Sequence, residues 1–187
     1  MVLSAPRVCP GVMRSRLSSR VGFALSCVVL VLAIWVEARA SVPHALPSCP
    51  AGATLVLVDT DARVLVACED GHAALAYRVR LGSGGVGKTR EGDRRTPLGR
   101  YRLEAPRPSE LTGTFVHVGY PTEAQRAAGY TGSAIGIHGP LRDQRYLGAY
   151  TNVFDTTAGC VGLATDEEIE ELADWISSRG VDEVEIF

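Results

Sequence analysis

Ile135-Gly136-Ile137-His138-Gly139-Pro140 and Thr156-Thr157-Ala158-Gly159-Cys160-Val161-Gly162-Leu163 organise the reading of this chain: the first carries an imidazole, the second a thiol 22 residues further on, and glycines lie beside both. If Ile135 and Ile137 point into a core, the two-residue repeat of a strand sends Gly136 and His138 to the opposite face, where a side chain can meet a cleft. A lone cysteine is most often a small buried apolar residue. The glycine-rich, loop-like surroundings of Cys160 argue against that burial. A thiol becomes a strong nucleophile only as thiolate, and a neighbouring imidazole is the usual route to that state near neutral pH. The pair is suited to acyl transfer.

Outward from these stretches, strand signals dominate. Leu55-Val56-Leu57-Val58, then Arg63 to Ala67, then Ala74 to Leu81 read as antiparallel strands joined by short turns, with Tyr77, Val79 and Leu81 alternating with Ala76, Arg78 and Arg80. Tyr101-Arg102-Leu103, Phe115-Val116-His117-Val118 and Ile135 to His138 resume the pattern. One helix is well marked: Thr165 as N-cap with Glu168 completing a capping box, Asp166 and Glu167 at the positive end of the dipole, Ile169, Leu172, Ala173 and Ile176 on one face, and Arg179-Gly180 as the stop. Val184 and Ile186 alternate with Glu183 and Glu185, which predicts a final edge strand. The fold class expected is α+β, mainly β with the C-terminal helix packed on a sheet.

Residues 1–40 read as a secretory signal peptide, because Arg7, Arg14, Arg16 and Arg20 precede an apolar run from Val21 to Val36 that ends in Ala38-Arg39-Ala40. The run is short against the roughly 20 residues that span a bilayer, so cleavage after Ala40 is expected over a retained anchor. Neither Cys27, inside the run, nor Cys49, well beyond it, is placed for lipidation. The remaining 147 residues suit a single domain. The mature chain holds 14 basic against 20 acidic residues, a formal charge of −6, which gives no footprint for nucleic acid. The expected location is the periplasm or cell envelope.

Three cysteines remain after cleavage, and an oxidising compartment asks which stays free. A disulfide between Cys49 and Cys68 would close the base of the first hairpin and leave Cys160 as the thiol; sequence alone leaves the connectivity open. Gly82-Ser83-Gly84-Gly85-Val86-Gly87 lacks the Gly-Lys-Ser/Thr run of a phosphate cradle and reads as a wide loop. A zinc site from His117, His138 and Cys160 lacks paired ligand spacing. No metal and no cofactor is expected.

Beyond these separate readings, the ordered set Lys88-Thr89-Arg90-Glu91-Gly92-Asp93, Arg95-Thr96-Pro97-Leu98-Gly99-Arg100-Tyr101, Gly119-Tyr120-Pro121, Ile135-Gly136-Ile137-His138-Gly139 and Thr157-Ala158-Gly159-Cys160-Val161 resembles the L,D-transpeptidase (YkuD) catalytic domain of bacterial cell-wall enzymes. The resemblance runs from about Thr54 to Phe187, which implies 54–187 as the catalytic domain and leaves 41–53 as a short N-terminal segment. It implies a mixed β-sheet sandwich or partly closed barrel with the cysteine and histidine facing a groove. It also implies peptidoglycan stem peptides as substrates, attacked at a carbonyl between an L centre and a D-amino acid. Two positions depart from the common family pattern: Ala158 stands where a second histidine is usual, and Gly162 where an arginine is usual. The chain is closer to a subset with a Gly-Cys-apolar-small-Leu motif, some members of which cut cross-links rather than make them.

On this basis Cys160 is the expected nucleophile and His138 the general acid/base, with the Gly139 carbonyl orienting the ring and the backbone N–H groups of Cys160 and Gly159 as oxyanion donors. Thr157, Arg95, Arg100 and His117 are candidate substrate contacts, although a lone strand histidine such as His117 is more often structural. The basic run containing Lys88, Arg90, Arg94, Arg95, Arg100 and Arg102 would suit carboxylates of a stem peptide. Three functions stay open: transfer to an amine, hydrolysis by the same fold as an L,D-carboxypeptidase or endopeptidase, and a wall-binding module with an idle thiol. The expected partners are stem peptides, with a wall-attached protein or an activating partner left open.

Overall fold

The computed structural model describes residues 46–187; the expected leader and the start of the 41–53 segment lie outside the described residues. Among the described residues nine strands form two sheets. β1 (Leu55–Asp59), β2 (Val64–Glu69) and β3 (His72–Arg78) make an antiparallel meander, and β4 (Gly99–Arg102) and β9 (Glu183–Ile186) complete the sheet in the order β3-β2-β1-β9-β4. The second sheet runs β5 (Arg107–Ser109), β6 (Gly113–His117), β7 (Gly136–His138) and β8 (Val161–Gly162). The expected α+β class holds, without closure into a barrel.

Alternation decides which residues meet between the layers. Val56 and Val58 of β1, Val116 of β6, Ile137 of β7 and Leu163 just beyond β8 join one core, and none of them exposes its side chain. β1 and β2 are buried on both faces, and their other face, with Leu55, Leu57, Val66 and Cys68, packs against Ala53 and Cys49. Cys49 and Cys68 are joined in a disulfide that fastens the N-terminal segment over that second cluster.

The helix at the end of the chain, here α2 (Asp166–Arg179), presents Ile169, Leu172, Ala173, Trp175 and Ile176 to the core. Burying each such large apolar side chain contributes about 1.5–3 kcal/mol. Its N-terminus departs from a reciprocal capping box. The Thr165 hydroxyl does accept from the Glu168 N–H at 3.3 Å, but the Glu168 carboxylate reaches one residue further back and accepts from the Ala164 N–H at 2.8 Å.

Two further expectations are corrected. The final strand is not at an edge: β9 lies between β1, which it joins in parallel, and β4, so Glu183 and Glu185 face Arg100 and Arg102 across a ladder. The third strand ends at Arg78 instead of reaching Leu81. There the chain turns away from β2, and Arg80 pairs with Gly162 of the other sheet through reciprocal bonds of 2.9 Å. The stretch 119–134 contains α1 (Glu123–Ala127), capped reciprocally by Thr122 and Gln125, and the stretch 140–156 a kinked 3-10 helix over Arg145–Asn152.

Candidate active site

β7 and β8 run parallel with His138 opposite Gly162 and Ile137 opposite Val161. Extending that register places Cys160 beside Gly136, two residues back from His138 on the adjacent strand and on the same face. Strands lie about 4.8 Å apart and two residues advance about 6.6 Å, so both side chains can reach one space. They open into a common cleft of about 490 Å³, walled also by Arg80, Phe115, Thr157 and Ala158.

The imidazole is tightly held. His138 Nδ1 lies 2.6 Å from the Gly139 carbonyl, which can only accept, so Nδ1 carries the hydrogen and Nε2 keeps its lone pair. The Phe115 ring stacks on it, 6.2 Å between centroids and 13° between planes. Burial, with the Arg80 guanidinium adding to it, pushes His138 below its ordinary value of 6.5, and the bond to Gly139 offsets part of that shift. The resting ring is therefore a neutral base at neutral pH.

Burial pushes the Cys160 thiol up, while the Gly136 N–H, Lys88 and Arg80 pull the other way. The thiol donates to the Ala134 carbonyl at 3.5 Å, and no hydrogen bond joins it to the imidazole among the described residues. The pair rests as thiol and imidazole, not as an ion pair.

The loop before the cysteine is built by Thr157. Its hydroxyl donates to the Cys160 carbonyl at 2.7 Å and accepts from the Gly159 N–H at 3.1 Å. That second bond corrects the expectation for Gly159, whose N–H is committed to Thr157 and is not free for an oxyanion. What Gly159 provides is fit: it sits at φ +127°, and a Cβ there would lie 2.6 Å from the Arg95 carbonyl. The Cys160 N–H has no acceptor among the described residues and is free to donate.

Three candidate substrate contacts stand elsewhere. Arg100 pairs with Glu183 at 3.0 Å and Glu185 at 2.8 Å, since the β4–β9 register sets it against that acidic strand. His117 lies 3.0 Å from Glu104 and does not line the cleft. Arg95 contributes its carbonyl under Gly159, while its side chain turns toward the Val86 carbonyl at 3.4 Å. Of the basic run, Lys88 is turned inward onto Asp93 and only Arg94 reaches the cleft wall. Among the described residues, the arginines that line the cleft are Arg80, Arg94 and Arg107, the last stacked over Phe115 at 5.1 Å, and no carboxylate lines it. Among the described residues no group of three His, Cys, Asp or Glu side chains is placed to hold a metal ion.

Comparison with curated proteins gives no match. Among solved structures, the chain is similar to the helical cell shape determining protein Pgp2 from Campylobacter jejuni, at 22% identity and a TM-score of 0.58, over 71% of this chain and 46% of that one. It is also similar to Bd1075 from Bdellovibrio bacteriovorus, at 24% identity and a TM-score of 0.53, over 71% of this chain and 47% of that one. The chain spans about half the length of these proteins, and at such identities the likeness is one of fold. The profile of the YkuD family, described as the L,D-transpeptidase catalytic domain, matches residues 53–186, so the chain belongs to the L,D-transpeptidase catalytic domain family.

Proposed function

We propose that this chain is an exported cysteine acyltransferase acting on peptidoglycan stem peptides. The observation that carries the reading is the shared cleft of Cys160 and His138, in which Nδ1 is spoken for by Gly139 and Nε2 is the only ring nitrogen left for proton transfer. The three arginines of the cleft wall, unopposed by carboxylates, suit a peptide that carries anionic groups.

In this mechanism the thiol turns from the Ala134 carbonyl to Nε2 as substrate enters, in keeping with catalytic hydrogen bonds that tighten only in the substrate complex. Nε2 takes the thiol proton while sulfur attacks the carbonyl that precedes a D-amino acid. The Cys160 N–H donates to the developing oxyanion. Collapse breaks the C–N bond, and the imidazolium gives its proton to the departing amine, leaving a thioester on Cys160. An acceptor amine, deprotonated by the same imidazole, then attacks the thioester and releases the thiol.

The test is to incubate purified tetrapeptide muropeptide with the chain, with and without an added D-amino acid, and to read the products by mass. Exchange of the terminal residue or dimer formation is expected. A shortened peptide as sole product would assign the site to hydrolysis, and unchanged peptide would leave the fold as a binding module.

A pH dependence follows from the buried ring. The base works only when neutral, so kcat/KM falls as pH drops through the folded value of His138. Because burial lowers that value, the acid limb is expected below 6.5. A limb well above 6.5 in the pH profile of kcat/KM would contradict the assignment of His138 as the base.

A further inference from the structure

Arg80 is 2% exposed, yet no carboxylate pairs with it among the described residues. Its partners are neutral: Nη1 donates to Asn152 Oδ1 at 3.0 Å and to the Leu163 carbonyl at 2.9 Å, and Nη2 donates to the Gly139 carbonyl at 3.3 Å. Asn152 is itself anchored, donating from Nδ2 to the Arg78 carbonyl at 2.6 Å. Withdrawing a charge from water costs several kcal/mol unless it is compensated. This guanidinium is held by neutral acceptors without a countercharge, and it lines the wall of the Cys160 cleft.

Its placement relative to the sulfur is fixed by the backbone. Arg80 and Gly162 exchange both of their main-chain hydrogen bonds, and the arginine stem then lies across Gly162, two residues past Cys160. A Cβ at 162 would come within 2.7 Å of Arg80 Cγ, Cζ and Nε. Gly162 is thus the residue that lets a guanidinium from the facing strand enter. Its far end meets the carbonyl that also binds His138 Nδ1, so one oxygen ties the cation to the ring.

We propose that Arg80 is a positioning residue of this active site: it holds the Gly139 carbonyl that fixes the His138 ring, and supplies a permanent positive charge on which thiolate formation at Cys160 depends. This rests on the Cys160–His138 reading. The other charges facing the sulfur are His138 from β7, Lys88, whose pull on the thiol is no weaker than that of Arg80 but which is paired with Asp93, and Arg94 and Arg107 on the cleft wall, with no carboxylate among the described residues that line it.

The experiment compares the unaltered full chain with Arg80→Met, Arg80→Lys, Gly162→Arg and the double variant Arg80→Ala/Gly162→Arg. Folding is checked by circular dichroism. Two readouts are taken: the pH profile of Cys160 alkylation by iodoacetamide, which needs no wall substrate, and kcat/KM on the tetrapeptide. Arg80→Met is expected to move the alkylation midpoint to higher pH. It should also lower kcat/KM by about 10²-fold, the scale of a misplaced catalytic group. Arg80→Lys keeps the charge and should keep most of the alkylation profile while losing kcat. Gly162→Arg alone should be impaired by the clash, and the double variant, which returns one guanidinium to the same space from the other strand, should recover the alkylation midpoint. If folded Arg80→Met alkylates with the unaltered profile, the proposal is overturned. If Arg80→Met does not fold, a folded double variant whose midpoint stays high overturns it equally. Failure of the underlying reading looks different, because Cys160→Ala would then leave the peptide products unchanged whatever Arg80 does.

Discussion

Cys160→Ala is expected to abolish conversion of the tetrapeptide, a loss of at least about 10³-fold judged from removal of the nucleophile in other acyl-transfer enzymes, while leaving the fold intact. No second group can stand in. Ser109, Thr112, Thr156 and Thr157 also line the cleft, but the Thr157 hydroxyl is spent on the Cys160 carbonyl and the Gly159 N–H, and none of the four is hydrogen-bonded to the imidazole. Folding should tolerate the change, because the polar contacts of the sulfur are weak ones, to the Ala134 carbonyl at 3.5 Å and from the Gly136 N–H. Cys160→Ser is the sharper control. It keeps the size and a hydroxyl donor, but an alcohol ionises far less readily than a thiol. Product masses over a long incubation, with thermal unfolding run in parallel, check both variants. Conversion by Cys160→Ala at more than a small fraction of the unaltered rate would place the chemistry elsewhere.

Periodicity made His138 readable, and the glycine-flanked, loop-like setting of Cys160 pointed to the thiol. Ile135 and Ile137 are both buried in the core, and the intervening positions turn His138 to the cleft. The helix after Thr165 was equally legible, since capping and a four-residue apolar face are local properties. Thr122-x-x-Gln125 was a capping signal of the same kind, and it marks α1. What sequence could not show was long-range pairing. Arg100 is drawn to Glu185 because β9 inserts beside β4, and nothing near position 100 announces a strand 85 residues away. Arg80 is the clearest case. Within its own segment it is one arginine in an alternating run. Its burial and its reach to Gly139 exist only because residue 162, on another sheet, is a glycine. The sequence did mark Gly162 as a departure from the family pattern, and the structure shows what fills the space above it.

Asp93→Ala is expected to destabilise the fold by about 3 kcal/mol or more, the scale of breaking a buried ion pair from one side. Lys88 is buried, its side chain 4% exposed, with Nζ 2.8 Å from Asp93 and 3.0 Å from the Arg90 carbonyl. The same carboxylate accepts the N–H groups of Thr89, Arg90 and Arg95 at 2.9, 2.9 and 3.1 Å. Burial works against ionisation, yet the Lys88 ammonium and these N–H groups hold the Asp93 carboxyl well below the usual carboxylate range. A depressed folded value means the contribution is present above the unfolded value of about 3.9 and lost only as pH falls through the lower, folded one. At neutral pH it is intact. Alanine leaves the ammonium with one carbonyl and the loop with three unmatched donors. Lys88→Met alongside Asp93→Ala should restore only part of the stability, because the apolar pair repairs the charge but not the N–H groups. Urea unfolding of the single and double variants measures both steps, and full recovery in the double variant would show that the ion pair alone, and not the loop, is what Asp93 maintains. The effect should extend to the site, since the Arg95 carbonyl at the end of this loop abuts Gly159 and sets the path of the chain into Cys160. A folded Asp93→Ala chain is therefore expected to lose kcat as well as stability.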